Sequence, residues 1–253
     1  LILARGLSTD MNLIIDIGNT RTKFSVFNHG EEMISVPVAE LSSAHIELLH
    51  KEYPQIEKVI LSAVKDYSPE LKKRLQDHFP FFLELDESTP LPIENHYKTK
   101  GTLGKDRLAG VIGAVHLYPG TNILVIDAGT AITYDLITKD RQYLGGNISP
   151  GIDMRYRALH QFTGKLPLVT KKEFTGLYGQ STEEALRAGV QHGVVFEADN
   201  AINAFKEFYK NLYVIITGGD ANFFDKKLKN SFFVHFNLIA IGLNRILEHN
   251  GEI

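Results

Sequence analysis

The 253-residue sequence contains no cysteine. Disulfides, thiolate nucleophiles and cysteine-ligated zinc are thereby excluded, and the composition agrees with a reducing, cytoplasmic setting. Ten histidines are scattered along the chain, but they form no H-E-x-x-H pair of the kind that holds catalytic zinc. No apolar run reaches the ~18–20 residues a bilayer-spanning helix needs, so no membrane partner is expected. Basic residues are not in excess, since 27 Lys and Arg stand against 30 Asp and Glu for a net charge of −3. A nucleic-acid partner calls for a concentrated positive face, and none is implied. In the opening LILARGLSTD the apolar stretch breaks at Arg5, short of a signal-peptide core. Met11 begins the first strand-like run, so the native start is expected there, with residues 1–10 an upstream extension.

What is present suits a folded, core-forming chain. Hydrophobic residues make up 43% and charged residues 23%, the balance of an ordinary globular protein rather than a disordered one. The length allows one large or two small domains. A repeat favours two. NLIIDIGNTRTKFSVF begins at Asn12 and NILVIDAGTAITYDLI at Asn122. Superimposing Asp16 on Asp127 sets Gly18 on Gly129 and Thr22 on Thr133, with apolar residues on either side. Each copy reads as a β-hairpin whose turn carries Asp, Gly and small hydroxyl residues. The wide separation of the copies predicts two related domains rather than a short-period solenoid.

Strand-like ISVPV, VILSAV and YVIITGGD alternate with helix-like SPELKKRLQDHF, KDRLAGVIGAVHLY and a long segment from Thr182. That segment is expected to be capped by Ser181 or Thr182, with Glu183 and Glu184 in its first turn. The alternation predicts an α/β fold. The boundary is expected at Tyr118-Pro119-Gly120, giving domains 11–118 and 119–253, the closing helix belonging to the second.

A turn of Gly18, Asn19 and Thr20 offers approachable backbone N–H groups and side-chain donors, a phosphate cradle without a Walker sequence. An ordinary hairpin turn has the same composition. Asp16, at the end of a buried strand, is a costly lone anion, and a magnesium ion carried by nucleotide phosphates would compensate it. Gly218-Gly219 would leave a flat surface for adenine and ribose. With these elements in place the chain resembles the superfamily of sugar kinases, heat-shock chaperones and actin. That resemblance implies two ribonuclease-H-like domains with an ATP cleft between them, the Asp-x-Gly hairpins serving as phosphate motifs and ITGGD as the adenosine motif.

Between the copies stand Tyr97 and the run Gly104-Lys105-Asp106-Arg107. Asp106 offers a carboxylate and Arg107 a planar donor fork for a substrate carboxylate. The same residues could form the charged first turn of a helix. Gly145-Gly146 and Ser149-Pro150-Gly151 fit a flexible loop near the γ-phosphate, or a plain turn between two elements.

DIGNTRTK, G-x-D-R at Gly104–Arg107, DAGTAIT, GGNISPG and T-x-E-A-x-x-x-G from Thr182 to Gly189 together resemble the type III pantothenate kinases, in the order that family shows. The resemblance runs from Met11 to the final helix. It implies ATP-dependent phosphorylation of pantothenate, the first step of coenzyme A synthesis, by a homodimer whose substrate pocket involves the subunit interface. Carried over position by position, it makes Asp106 the proton acceptor, with Tyr97, Gly104, Lys105, Arg107 and Thr182 contacting substrate. Asp16, Ile17, Gly18, Asn19, Thr20, Arg21, Thr22, Lys23 and Thr130 match the ATP site, and Asp16 is the candidate ligand of Mg2+. Asp127 matches the ligand of a monovalent cation, K+ or NH4+. Thr99 and Lys100 stand where the family commonly has Asn-Pro. The rival readings are another small-molecule kinase of the superfamily, acting on a sugar or acetate, and a non-catalytic ATP-binding regulatory module.

Overall fold

The computed structural model describes residues 11–251; the expectation about residues 1–10 lies outside them. The chain forms two compact units, one of residues up to Leu117 rejoined from Leu238 onward, the other Tyr118–Asn237.

The first unit opens with the meander β1 (Met11–Ile17), β2 (Thr22–Asn28) and β3 (Glu31–Val38). It continues through α1 (Ser43–Glu52), β4 (Ile56–Ala63), α2 (Pro69–His78) and β5 (Phe81–Glu84). The two-residue β6 (Glu94–Asn95) precedes α3 (Lys105–Leu117). The second unit repeats the scheme with β7 (Ile123–Ala128), β8 (Ala131–Ile137) and β9 (Gln142–Pro150), then α4 (Ile152–Gln161), α5 (Thr182–Phe208), β10 (Tyr213–Thr217) and β11 (Phe233–Val234).

Strand order is β3-β2-β1-β4-β5 in the first unit and, within the second, β9-β8-β7-β10-β11. In each, the first strand is antiparallel to its hairpin partner and parallel to the strand on its other side. β1 is packed on both faces, Leu13 and Ile15 in one core cluster and Ile14 in another, so its sequence reads as a continuous apolar run. Leu13, Ile14 and Ile15 in β1 and Ile123, Leu124 and Ile126 in β7 are buried accordingly. Ser68 caps α2 by accepting from the Glu70 N–H at 3.2 Å, with Pro69 opening the helix. Ser181 is the cap of α5, accepting from Glu184 N–H at 3.3 Å.

Three expectations need correction. The closing helix α6 (Leu238–Gly251) belongs to the first unit, where it packs on α3. Glycines allow that crossing: a Cβ on Gly242 would stand 1.8 Å from the Ala109 carbonyl oxygen, and one on Gly113 2.3 Å from that of Leu238. The repeat is also offset by one residue beyond the aspartates, since Asp16 faces Lys23 while Asp127 faces Thr133. The first turn places Asn19 and Thr20 between Gly18 and Arg21, closed by Gly18 N–H to Arg21 O at 3.0 Å. The second has only Thr130 between Gly129 and Ala131, so Thr133 matches Lys23 and not Thr22. Finally, Gly145-Gly146 and Ser149-Pro150 are strand residues of β9, paired with β8 throughout, and not a flexible loop.

Candidate active site

In the first unit the β1–β2 turn exposes Asn19, Thr20 and Arg21, whereas Ile17 and Thr22 point into the interior. Of the candidate ATP residues, those two can therefore reach a ligand only through their backbone. Asp16 lies between Lys23 on β2 and Ser62 on β4 in the strand register. Its Oδ1 is shut off from solvent without a hydrogen-bond partner, and so is the Ser62 hydroxyl. Burial first, then the charge of Asp106, pushes the Asp16 carboxyl up to about 7 despite the opposing pull of Lys23. Buried polar atoms without partners are uncommon and call for an explanation such as a bound ion. A cation beside Asp16 would satisfy its oxygen and favour ionisation, so the residue fits the magnesium ion that accompanies nucleotide phosphates.

Asp106 sits in the first turn of α3, where the Gly104 carbonyl accepts the opening helical bond from Leu108 at 3.2 Å. Its Oδ1 accepts the Arg107 N–H at 2.8 Å. The residues form the charged first turn of the helix, and the Asp106 carboxylate lies within electrostatic reach of Asp16. Arg107 is only 6% exposed. Its guanidinium carbon lies 5.4 Å from the centre of the Tyr97 ring, a cation–π distance. Thr99 precedes a 3-10 turn over Lys100–Thr102, and its carbonyl accepts from Thr102 Oγ1 at 3.0 Å. Lys105 lines a cavity of ≈ 430 Å³ with Lys65, Tyr67 and Glu84. Glu84 accepts from Tyr67 Oη and Lys72 Nζ, each at 2.6 Å. Sequence reasoning missed this group, because its members come from three elements with no common spacing.

In the second unit Asp127 is the penultimate residue of β7, beside Thr217 of β10. Gly218, at φ 92°, backs directly onto it: a Cβ there would lie 2.3 Å from Asp127 Oδ1. The Asp220 N–H donates to Ala128 O at 2.9 Å, so the second Asp-x-Gly turn and the Gly218-Gly219 turn form one structure. Thr130 is exposed at its tip, and the hydroxyl of Thr133, paired with Asp127 in the register, is buried without a partner. Thr182 is elsewhere in this unit, on the rim of a largely apolar groove of ≈ 950 Å³ between α4 and α5 that Arg155 also lines. Among the described residues no cluster of three or more metal-ligating side chains occurs, and no helix is long and apolar enough to cross a membrane.

Residues 12–204 match the model of the type III pantothenate kinase family. The chain belongs to that family. A type III pantothenate kinase of Phocaeicola vulgatus is 46% identical over 244 residues, 96% of this chain and 100% of its own. Among solved structures, a Campylobacter jejuni protein described as a Baf family transcriptional activator superposes with TM-score 0.59 at 23% identity, covering 95% of this chain and 100% of that one. A glucokinase from an Antarctic psychrotroph gives TM-score 0.52 at 12% identity, covering 95% and 99%. These likenesses place the fold among the actin-like ATPases and sugar kinases, two ribonuclease-H-like domains of α/β class. Family membership makes the protein a kinase that phosphorylates pantothenate with ATP and a divalent metal, in coenzyme A biosynthesis.

Proposed function

We propose that Asp106 accepts the proton of the pantothenate hydroxyl as its oxygen attacks the γ-phosphorus of ATP and ADP departs. The observation that carries this reading is the Asp16–Asp106 relation: two carboxylates in one unit, the charge of Asp106 acting on Asp16, whose own Oδ1 is buried and unpaired. Such a pair divides naturally into a metal-binding and a proton-accepting member. Phosphoryl transfer has a loose transition state, so positioning and charge neutralisation carry most of the catalysis. Magnesium supplies that neutralisation when bound, and Asp16 would hold it. Residues 17–23 and Thr130 contact the ATP phosphates, Ile17 and Thr22 by backbone alone. Arg107, oriented by Tyr97, presents its fork to the acceptor's carboxylate, with Gly104, Lys105 and Thr182 as further contacts.

Asp127 is assigned the monovalent cation, K+ or NH4+. The protein is assigned to the cytoplasm, as a homodimer. Support for self-association comes from α5, where Ala185, Gly189 and Gly193 recur at four-residue spacing between the ≈ 950 Å³ groove and a second cavity of ≈ 420 Å³. Small residues in one stripe let a second helix approach closely. The test of the reaction is ADP release with and without pantothenate. Acceptor-dependent release is expected, slowed about 10²–10⁴-fold by Asp106→Asn with nucleotide binding retained. Near-normal turnover in that variant removes Asp106 from the mechanism.

A further inference from the structure

The second unit holds an arginine to which the resemblance assigns no task. Arg155, in the first turn of α4, donates through Nε to the Pro150 carbonyl at 2.8 Å. One of its terminal nitrogens donates to Ser149 Oγ at 2.8 Å and to Glu197 Oε2 at 2.5 Å. Glu197, on α5, also accepts from the Tyr134 hydroxyl of β8 at 3.1 Å. One guanidinium thus ties the end of β9 to α4 and α5 and, through the glutamate, to β8. The glutamate is well matched to the role: burial alone would raise its pKa, but the hydrogen bonds from Arg155 and Ser149, with the Arg155 charge, hold it below its usual value.

The tethered backbone is the immediate neighbour of the second Asp-x-Gly turn. Pro150 pairs with Ala131 in the β8–β9 register, and the Gly151 N–H donates to Thr130 O at 3.0 Å. A Cβ on Gly151 would lie 2.3 Å from Gly129 O and 2.4 Å from Thr130 O. With no free space between the two backbones, a shift at 150–151 must move 129–130. Loop atoms that meet phosphate need such backing, because errors of about 1 Å at a reacting group cost substantial rate.

We infer that Arg155 is a positioning residue for the nucleotide, fixing the Pro150–Gly151 backbone against which the Thr130 turn is held. The inference rests on the proposed reading that this turn receives ATP phosphate. Lysine is a poor substitute, since an ammonium can keep the charge facing Glu197 but cannot reproduce the guanidinium fork's directed bonds. Arg155 also lines the groove that carries Thr182, so a role toward the acceptor instead is a distinct outcome of the test.

The experiment compares Arg155→Met, Arg155→Lys and Glu197→Gln with wild type in the full chain. It measures KM for ATP, KM for pantothenate, kcat, ADP affinity by calorimetry and the thermal midpoint. Arg155→Met should raise KM for ATP and weaken ADP binding about tenfold, the scale of losing a charge-assisted hydrogen bond. Pantothenate KM should stay within about twofold, inside the usual scatter of distant substitutions. Arg155→Lys and Glu197→Gln should fall between Arg155→Met and wild type. A rise in pantothenate KM alone overturns the inference in favour of an acceptor role. Unchanged ATP KM and ADP affinity with a lowered midpoint overturn it in favour of a plain structural strut. Should Arg155→Met not fold, the other two variants decide by the same comparison. A wild type without pantothenate-dependent turnover would fault the assigned reaction, while the ADP titrations would still report on Arg155.

Discussion

Replacing Asp16 by Asn should stabilise the nucleotide-free protein at alkaline pH while abolishing its use of magnesium-ATP. Burial, reinforced by Asp106, raises the Asp16 pKa from 3.8 to about 7 in the folded chain. Between those values the folded state keeps a proton that the unfolded state has released. Stability therefore falls as pH rises through that interval: the penalty is absent below pH 3.8 and complete above about 7. Some three pH units at about 1.4 kcal/mol each set a ceiling of about 4 kcal/mol. Titration curves with these endpoints put about 1.5–2 kcal/mol of the penalty in place at pH 5, leaving about 2–3 kcal/mol to develop by pH 8. Asparagine has no such titration, and its own burial cost is the same at both pH values. The stability of Asp16→Asn relative to wild type should thus climb by about 2–3 kcal/mol from pH 5 to pH 8. Urea unfolding at pH 5, 6.5 and 8 in EDTA measures this directly. A difference flat to within about 0.5 kcal/mol would refute the claim that the carboxylate is desolvated and unpaired. Asp106→Asn, which removes the like charge, should give a shallower pH dependence than wild type. Magnesium-ATP should stabilise wild type and leave Asp16→Asn unmoved.

Four further outcomes are expected. Asp106→Asn should lower kcat by about 10²–10⁴-fold, the usual worth of general-base assistance, with ATP affinity preserved in a binding titration. Replacing potassium by choline in the assay should depress turnover if Asp127 holds a monovalent cation; equal rates would count against that site. Gly242→Ala drives a methyl into the Ala109 carbonyl, and should cost about 1–3 kcal/mol or more in denaturant unfolding as α3 and α6 are forced apart. Gly189→Glu meets open space within the chain, so the protomer should still fold, with an unchanged far-UV circular dichroism spectrum. Size-exclusion chromatography should nevertheless show loss of the dimer, and an unaltered elution volume would argue against the α5 face.

Local signals were the legible ones. Asp16, Asp127 and their following glycines announced two hairpins because apolar strand runs ended at acidic turns. Gly104–Arg107 announced a helix start because charge concentrates where helix N–H groups lack partners. The one-residue difference between the two turns was invisible, since Thr22 and Thr133 agree in identity and only the strand pairing separates them. The home of α6 was equally hidden. Its apolar periodicity fits packing on either sheet, and the deciding feature, Gly113 meeting Gly242, links positions far apart in the chain. Glu84 and Arg155 escaped for the same reason: their partners lie on other elements. Position-by-position resemblance identified candidate ligand contacts, but not the side chains that brace them.

Because α6 closes the first unit, residues 118–237 amount to an insertion within a host whose core is completed only when the last helix is made. During synthesis the part bearing Asp16 and Asp106 must wait for Leu243, Ile246 and Leu247, all fully buried, to emerge and cover Ile14 and Ile60. The inserted unit has no such dependence and can condense first. A chain cut before Leu238 would therefore be expected to retain an ordered Asp127 half while losing the half that holds Asp16 and Asp106.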